Sequence, residues 1–172
     1  MHDLLPGASH IAVLVDPTDA STESTIRDFQ GAAAAIKRSI EFVTASNNRE
    51  IDIAIAGMAQ TRVEALLVPP GFLFFSRRVQ LVTLAAHYRL PAIYAFREYV
   101  EIGGLMSYGS VSADQYRLAG IYAGRVLKGE KPADLPVLQP TRFDFLINLQ
   151  TARVLGIEVP PTLLARAEEV IE

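Results

Sequence analysis

Cysteine is absent from the 172 residues, which excludes disulfides and thiolate metal sites. Histidine is scarce: His2, His10 and His87 lie far apart and make no ligand spacing. Concentrated positive charge is missing too. The formal net charge is -3, and basic residues occur only as scattered pairs such as Arg77-Arg78. A nucleic-acid footprint needs clustered Lys and Arg, so that partner is excluded. No segment approaches the roughly 20 apolar residues of a membrane-spanning helix. The start, Met1-His2-Asp3, shows no basic region followed by a long apolar run, so no signal peptide is visible in this chain. The sequence also lacks G-x-S-x-G, H-E-x-x-H, a phosphate loop and G-x-G-x-x-G. No nucleophile-base pair, metal or cofactor is implied, and the expectation is that the protein is not an enzyme.

What is present is a globular composition, half hydrophobic and a fifth charged. Short apolar runs alternate with amphipathic stretches. Ile11–Val15, Glu41–Ala45, Ala65–Pro69 and Pro91–Phe96 read as strands. Continuous apolar strands are buried on both sheet faces, so helices must cover both. Between the strands, Ile26, Phe29, Ala33 and Ile36 recur at helical spacing, as do Ile51, Ala54, Ile55 and Met58. Val79, Val82 and Ala86 predict the inner face of the next helix. Asn47 with Glu50 three residues on reads as a helix-starting pair. Strand-helix alternation with short loops predicts an α/β fold: a doubly wound parallel sheet in three α/β/α layers.

The pattern changes at Gly103-Gly104. A short strand, Leu105–Gly109, leads to Ser112-x-x-Gln115, read as a capping box. That helix runs to about Lys128, with Gly129 as the residue that ends it. A polar, proline-rich connector follows over 130–140. Phe143–Ile147 predicts a further strand, and Leu149–Leu155 a short helix. A last helix is expected from Pro160-Pro161 through Ile171.

Candidate functional residues sit where strands end. Asp16, Thr18, Asp19 and Ser21 follow the first strand, the place where open α/β sheets keep their ligands. They read either as a turn with a helix cap or as a polar ligand site using free helix N–H groups. A phosphotransfer reading of Asp16 needs a second Asp two residues on, and that position is Thr18. Phe72, Phe74 and Phe75 are either satellite core or the apolar wall of a cleft. Tyr94, Arg97, Glu98 and Tyr99 cluster after the fourth strand. Arg97 suits either a ligand carboxylate or a surface ion pair with Glu98 or Glu101.

Seven blocks in order then carry a resemblance: Ile11–Pro17, Phe75–Leu81, Leu90–Tyr99, Glu101–Gly109, Ala123–Gly129, Lys131–Val137 and Phe145–Gly156. Together they resemble ABC-transporter substrate-binding proteins, relatives of those that take up aromatic amino acids such as tryptophan. The resemblance implies the periplasmic-binding-protein type I-like fold, two α/β lobes with a small solute, possibly an amino acid, captured between them without chemistry. It implies an ABC permease as the partner of the full-length protein, and a periplasmic or extracytoplasmic location.

The match is to the second lobe. By resemblance, residues 1–103 and 141–172 form that lobe, while 104–129 is a crossover strand-helix unit completing the sheet of a first lobe that the chain lacks. Leaving its apolar faces in water costs roughly 25 cal/mol per Å². Self-association through 104–129, as a homodimer, is therefore expected. The cleft side is expected to carry Asp16, Thr18, Ser21, Phe72, Tyr94 and Glu98. Two other classes stay open: the ligand-sensing effector domain of a transcription regulator, and a small α/β phosphotransfer enzyme using Asp16.

Overall fold

The computed structural model describes residues 3–172. Met1 and His2, part of the start segment and of the histidine reading, lie outside the described residues. The first five strands are β1 (Ile11–Val15), β2 (Ile40–Thr44), β3 (Ala65–Val68), β4 (Ala92–Tyr94) and β5 (Met106–Ser110). Two more, β6 (Phe143–Asn148) and β7 (Glu169–Ile171), complete one seven-stranded sheet in the order β2-β1-β3-β4-β5-β6-β7. Every neighbouring pair is parallel except β5 and β6. The doubly wound α/β reading is therefore the observed fold.

One face of the sheet is covered by α2 (Asn48–Gln60), α3 (Phe72–Ser76), α4 (Arg78–His87) and α5 (Arg97–Glu101). Ile51, Ala54, Ile55 and Met58 of α2 are all buried, as their spacing predicts, against Ala12, Leu14, Leu66 and Val68 of the strands. The start of α2 combines two contacts. Asn47 accepts from Glu50 N–H at 3.1 Å, and the Glu50 carboxylate accepts from Ser46 N–H at 2.8 Å. The inner face of α4 differs from the expectation. Leu81, Val82 and Ala85 are buried, whereas Val79 is 63 % exposed. A five-residue helix, α3, intervenes before α4, so the helix phase starts later than the apolar pattern suggests.

The other face is covered more thinly. Helix α1 (Thr22–Ala35) buries only Ala33, and Ile36 just beyond it is exposed. Near β5 and β6, α7 (Leu149–Leu155) and α8 (Pro161–Leu164) pack Ala152 and Leu163 on Met106, Phe145 and Ile147. The expected last helix stops at Leu164, and Glu169–Ile171 joins the sheet as β7 instead. Its ladder with Leu146, Ile147 and Asn148 satisfies backbone groups at the sheet margin.

The segment 104–129 divides. Its strand is a member of this chain's own sheet: Ile93 pairs with Met106, Tyr94 with Ser107, and five β5 residues pair with β6. Leu105 and Met106 are 2 % exposed. The expected uncovered strand is thus corrected, because pairing on both sides and two helices behind it bury it. The helix α6 (Ser112–Leu127) behaves otherwise and has no buried residue. It touches its own connector, with Tyr122 Oη donating to the Pro136 carbonyl at 2.7 Å and Arg142 meeting Asp114 at 3.1 Å. The capping box does not form: the N-cap is Val111, and the Gln115 amide turns back to Ser110 Oγ. At the far end Gly129 takes φ 97°, the left-handed turn expected of it.

Gly109 is required by close approach. A Cβ there would lie 1.8 Å from the carbonyl oxygen of Ala95. Gly109→Ala is expected to force β5 from β4 and lower stability by at least roughly 1–3 kcal/mol. Gly120→Ala, on α6 with nothing within 4 Å of a new Cβ, is expected to leave stability unchanged or raise it slightly. Urea midpoints of the two variants check this, and an unperturbed Gly109→Ala would contradict the observed strand spacing.

A second expectation concerns acid. The Glu64 carboxylate accepts from the N–H groups of His10 and Ser9, at 2.9 and 2.6 Å, and these bonds hold its pKa below the ordinary 4.5. A depressed carboxylate stabilises the fold above its unfolded pKa, and that stabilisation fades as pH falls through the folded value. Glu64→Gln should therefore be less stable than the parent at pH 7, with the gap closing on acidification below about pH 4. Urea midpoints for both proteins across that range test the sign.

Candidate functional site

Because β1 to β5 run parallel, their carboxyl ends share one edge of the sheet. The beginnings of the reversed strands β6 and β7 lie at the same edge. Peptide units there finish their ladder, and ligand sites of open α/β sheets form at this place.

After β1, the chain makes two successive side-chain-to-backbone turns. Asp16 Oδ1 accepts from Thr18 N–H at 2.9 Å and from Thr18 Oγ1 at 2.7 Å. Asp19 Oδ1 accepts from Ser21 N–H at 2.8 Å and from Ser21 Oγ at 2.7 Å. These bonds to Ser21 hold the Asp19 carboxyl below its ordinary pKa. The turns of the expected turn-and-cap form, but the side-chain cap does not: Ser21, at the N-cap of α1, makes no side-chain cap hydrogen bond. Thr18 and Ser21 are exposed, and among the described residues Asp16 accepts side-chain hydrogen bonds through Oδ1 alone. The loop after β3, Pro69–Gly71, closes on this turn and leaves a gap of only about 10 Å³, room for about one water.

The aromatic residues after β3 separate. Phe74 is 2 % exposed and belongs to the core. Phe75 packs edge-on against Phe96 at 5.3 Å, with the Arg78 guanidinium 5.0 Å from its ring centre. Phe72 is 87 % exposed, so its ring stands at the surface of the edge.

Tyr94 is placed differently from the expectation. It is 2 % exposed and stacks on Tyr99 at 4.5 Å with planes 13° apart. Burial pushes both hydroxyls well above the ordinary tyrosine pKa. The ring thus packs between β4 and α5.

Arg97 and Glu98 open α5. Arg97 is committed to three carboxylates: Glu101 at 2.8 Å, Glu169 at 2.7 Å and Asp144 at 3.5 Å. These hydrogen bonds, first Glu101 and then Glu169, hold the guanidinium still more firmly protonated. It ties α5 to β6 and β7, which is the ion-pair reading with more partners than the sequence offered. Glu98 has one shielded carboxylate oxygen, Oε2, without a hydrogen-bond partner. A shielded carboxylate oxygen left unpaired is costly, so Glu98 is the site residue with capacity to spare.

Two residues escaped the sequence reading. Tyr108 and Phe143, 58 % and 45 % exposed, stack with ring centres 5.7 Å apart and planes 8° apart. Alternation offered a signal, since Phe143 and Phe145 share one strand face. The partner strand was not identifiable without the β5–β6 register.

Among the described residues no group of three His, Cys, Asp or Glu side chains is placed to hold a metal ion, and no helix is long and apolar enough to cross a membrane.

The ABC domain from Streptococcus pneumoniae solved in complex with L-Trp is 27 % identical and superposes with a TM-score of 0.91, over 99 % of this chain and 57 % of that one. A conserved domain protein from Vibrio cholerae O1 biovar El Tor shares the fold at 24 % identity and TM-score 0.91, over 98 % and 57 % of the two chains. A ligand-free, open substrate-binding protein with adhesive properties from Clostridium difficile gives 21 % identity and TM-score 0.70, over 98 % and 56 %. The chain thus spans little more than half the length of these structures. No curated protein matches it. The family described as ABC transporter substrate binding protein matches residues 1–171, and the chain belongs to that family.

Proposed function

We propose that this chain forms one wall of a solute site in a binding protein that serves an ABC-type importer. It holds a small polar or aromatic solute without chemistry. The observation that carries this reading is the make-up of the carboxyl edge. Asp16, Thr18, Ser21, Phe72 and Glu98 all follow strands that end at this edge, and Glu98 keeps a buried carboxylate oxygen without a hydrogen-bond partner, which supports a polar site there. The family match supports capture and delivery. The L-Trp in the pneumococcal domain supports an amino acid as the class of solute.

In this proposal α6 and the connector over 130–140 pack on a second lobe. The support is α6 itself: a 16-residue helix with no buried side chain and with Tyr116 and Leu127 at 78 % and 87 % exposure. Exposed apolar helix faces mark contact surfaces. Solute closes the two lobes about strands that cross between them, and the closed form docks on the permease, outside the cytoplasm.

A wall without its opposite binds weakly. Calorimetry of the 172-residue chain with L-tryptophan, L-phenylalanine and L-leucine is expected to show dissociation constants no tighter than about 1 mM. A polypeptide carrying both lobes is expected to bind at micromolar concentration, with Glu98→Gln and Asp16→Asn each weakening it at least tenfold. Micromolar binding by the 172-residue chain would overturn the one-wall reading. Lack of binding by the two-lobed protein to amino acids would overturn the solute class.

A further inference from the structure

Strand β2 lies at one margin of the sheet, and among the described residues β1 alone pairs with it. Ala45 N–H donates to the Val15 carbonyl at 3.0 Å. Strand alternation then turns the backbone of Glu41 and Val43 toward β1 and that of Ile40, Phe42 and Thr44 outward. Such an edge is a template for another strand unless proline, lysine, a bulge or shortness blunts it. Strand β7, at the other margin, is blunted: it has three residues, and Glu169 is held by Arg97. Strand β2 is not. Its five residues follow β1 in unbroken register, without proline or lysine, and its single charge, Glu41, is hydrogen-bonded to His10 at 2.8 Å. Beside it a groove of about 540 Å³ runs between the strand and α2, with Val43, Ala54, Gly57 and Met58 in its wall. Ile53 also borders this groove and is 61 % exposed.

We propose that this margin is a homodimer interface, in which β2 of two copies pair antiparallel across a two-fold axis and continue the sheet from one protomer into its partner. Three features select a second copy of this chain as the occupant. The outward backbone is self-complementary. With the axis at Phe42, that residue meets the partner's Phe42 and Ile40 meets the partner's Thr44, and each such pair exchanges both backbone hydrogen bonds. The side chains match as well. The two Phe42 rings form a cross-strand aromatic pair, and Glu41 faces the partner's Val43, so no like charges stand directly opposite. Helix α2 completes the fit. The axis sets it antiparallel to the partner's α2, so opposite ends of the two helix dipoles adjoin. Arg62, exposed just past the C-terminus of α2, then approaches the acidic first turn at the partner's Glu50. Ile53 projects toward the partner's Gly57, a position with nothing within 4 Å of a Cβ. Because β2 lies at the opposite margin from β6 and β7, the dimer leaves α6 open to a second lobe and is independent of the solute.

Sedimentation equilibrium of the 172-residue chain at concentrations up to about 1 mM tests the interface. The expected result is reversible association from 18.8 kDa to twice that mass. Amide hydrogen exchange gives a second readout. In concentrated solution the N–H groups of Ile40, Phe42 and Thr44 should exchange roughly tenfold more slowly than in dilute solution, while those of Glu41 and Val43, bonded to β1, should change less. Thr44→Pro removes an outward N–H that the single chain does not use, and it should weaken the dimer at least tenfold. Ile53→Lys, which leaves the strand untouched, should weaken it at least fivefold and keeps the test valid where the proline variant folds poorly. The double variant Tyr116→Glu with Leu127→Glu, on α6, should leave the dimer unchanged. A single 18.8 kDa species at every concentration would overturn the interface. So would a dimer that the α6 variant abolishes and Ile53→Lys leaves intact, or one in which exchange at Ile40, Phe42 and Thr44 does not depend on concentration.

Discussion

The antiparallel ladder between β5 and β6 is the constraint on which the rest of the molecule depends. Met106 to Ser110 pair with Ile147 to Phe143, so the chain returns to the sheet beside the point at which it left. The pairing extends one step further, where Val111 N–H donates to the Arg142 carbonyl at 3.3 Å. Everything between those residues, α6 and its connector, is an excursion closed at its base. A parallel return would have required a covering crossover helix, as each earlier strand has. The reversal removes that requirement and leaves α6 free of the sheet. It also brings the start of β6 to the carboxyl edge, where Phe143 meets Tyr108 and Asp144 meets Arg97.

Much of the fold was legible where local pattern and burial agree. Ile11–Val15 reads as a doubly covered strand and all five residues are buried. The face of α2 follows from its spacing because a cap fixes where that helix begins. Where no cap is encoded, the reading drifts. The start of α4 is displaced by the extra turn at Phe72–Ser76, which moves the buried set to Leu81, Val82 and Ala85. The tail from Pro160 has helical composition, yet free ladder positions on β6 capture Glu169–Ile171 as a strand. Tertiary pairing overrides propensity there.

The site shows the same division. The Asp16 to Ser21 turns are encoded locally, by short polar side chains that bond their own backbone two residues on, and they were visible in the sequence. The packing of Tyr94 was hidden, because a strand-end position does not say which way a ring points, and this ring stacks on Tyr99. Of the three partners of Arg97, Glu101 was within local reach, whereas Asp144 and Glu169 are 47 and 72 residues away, beyond any local pattern. The Tyr108–Phe143 stack is hidden for the same reason: it exists only once the register of the reversed pair is known.

The paired base of the excursion has a mechanical consequence. Two backbone crossings, at residues 110–111 and 142–143, are the covalent route between the sheet and α6, and they lie side by side. Rotation of α6 as a rigid arm needs dihedral changes at those few residues alone, and the buried clusters behind the sheet need not repack. The stiffness of the arm is then set by how firmly Ser110, Val111, Arg142 and Phe143 hold one another, which makes this four-residue collar a torsional spring in the molecule.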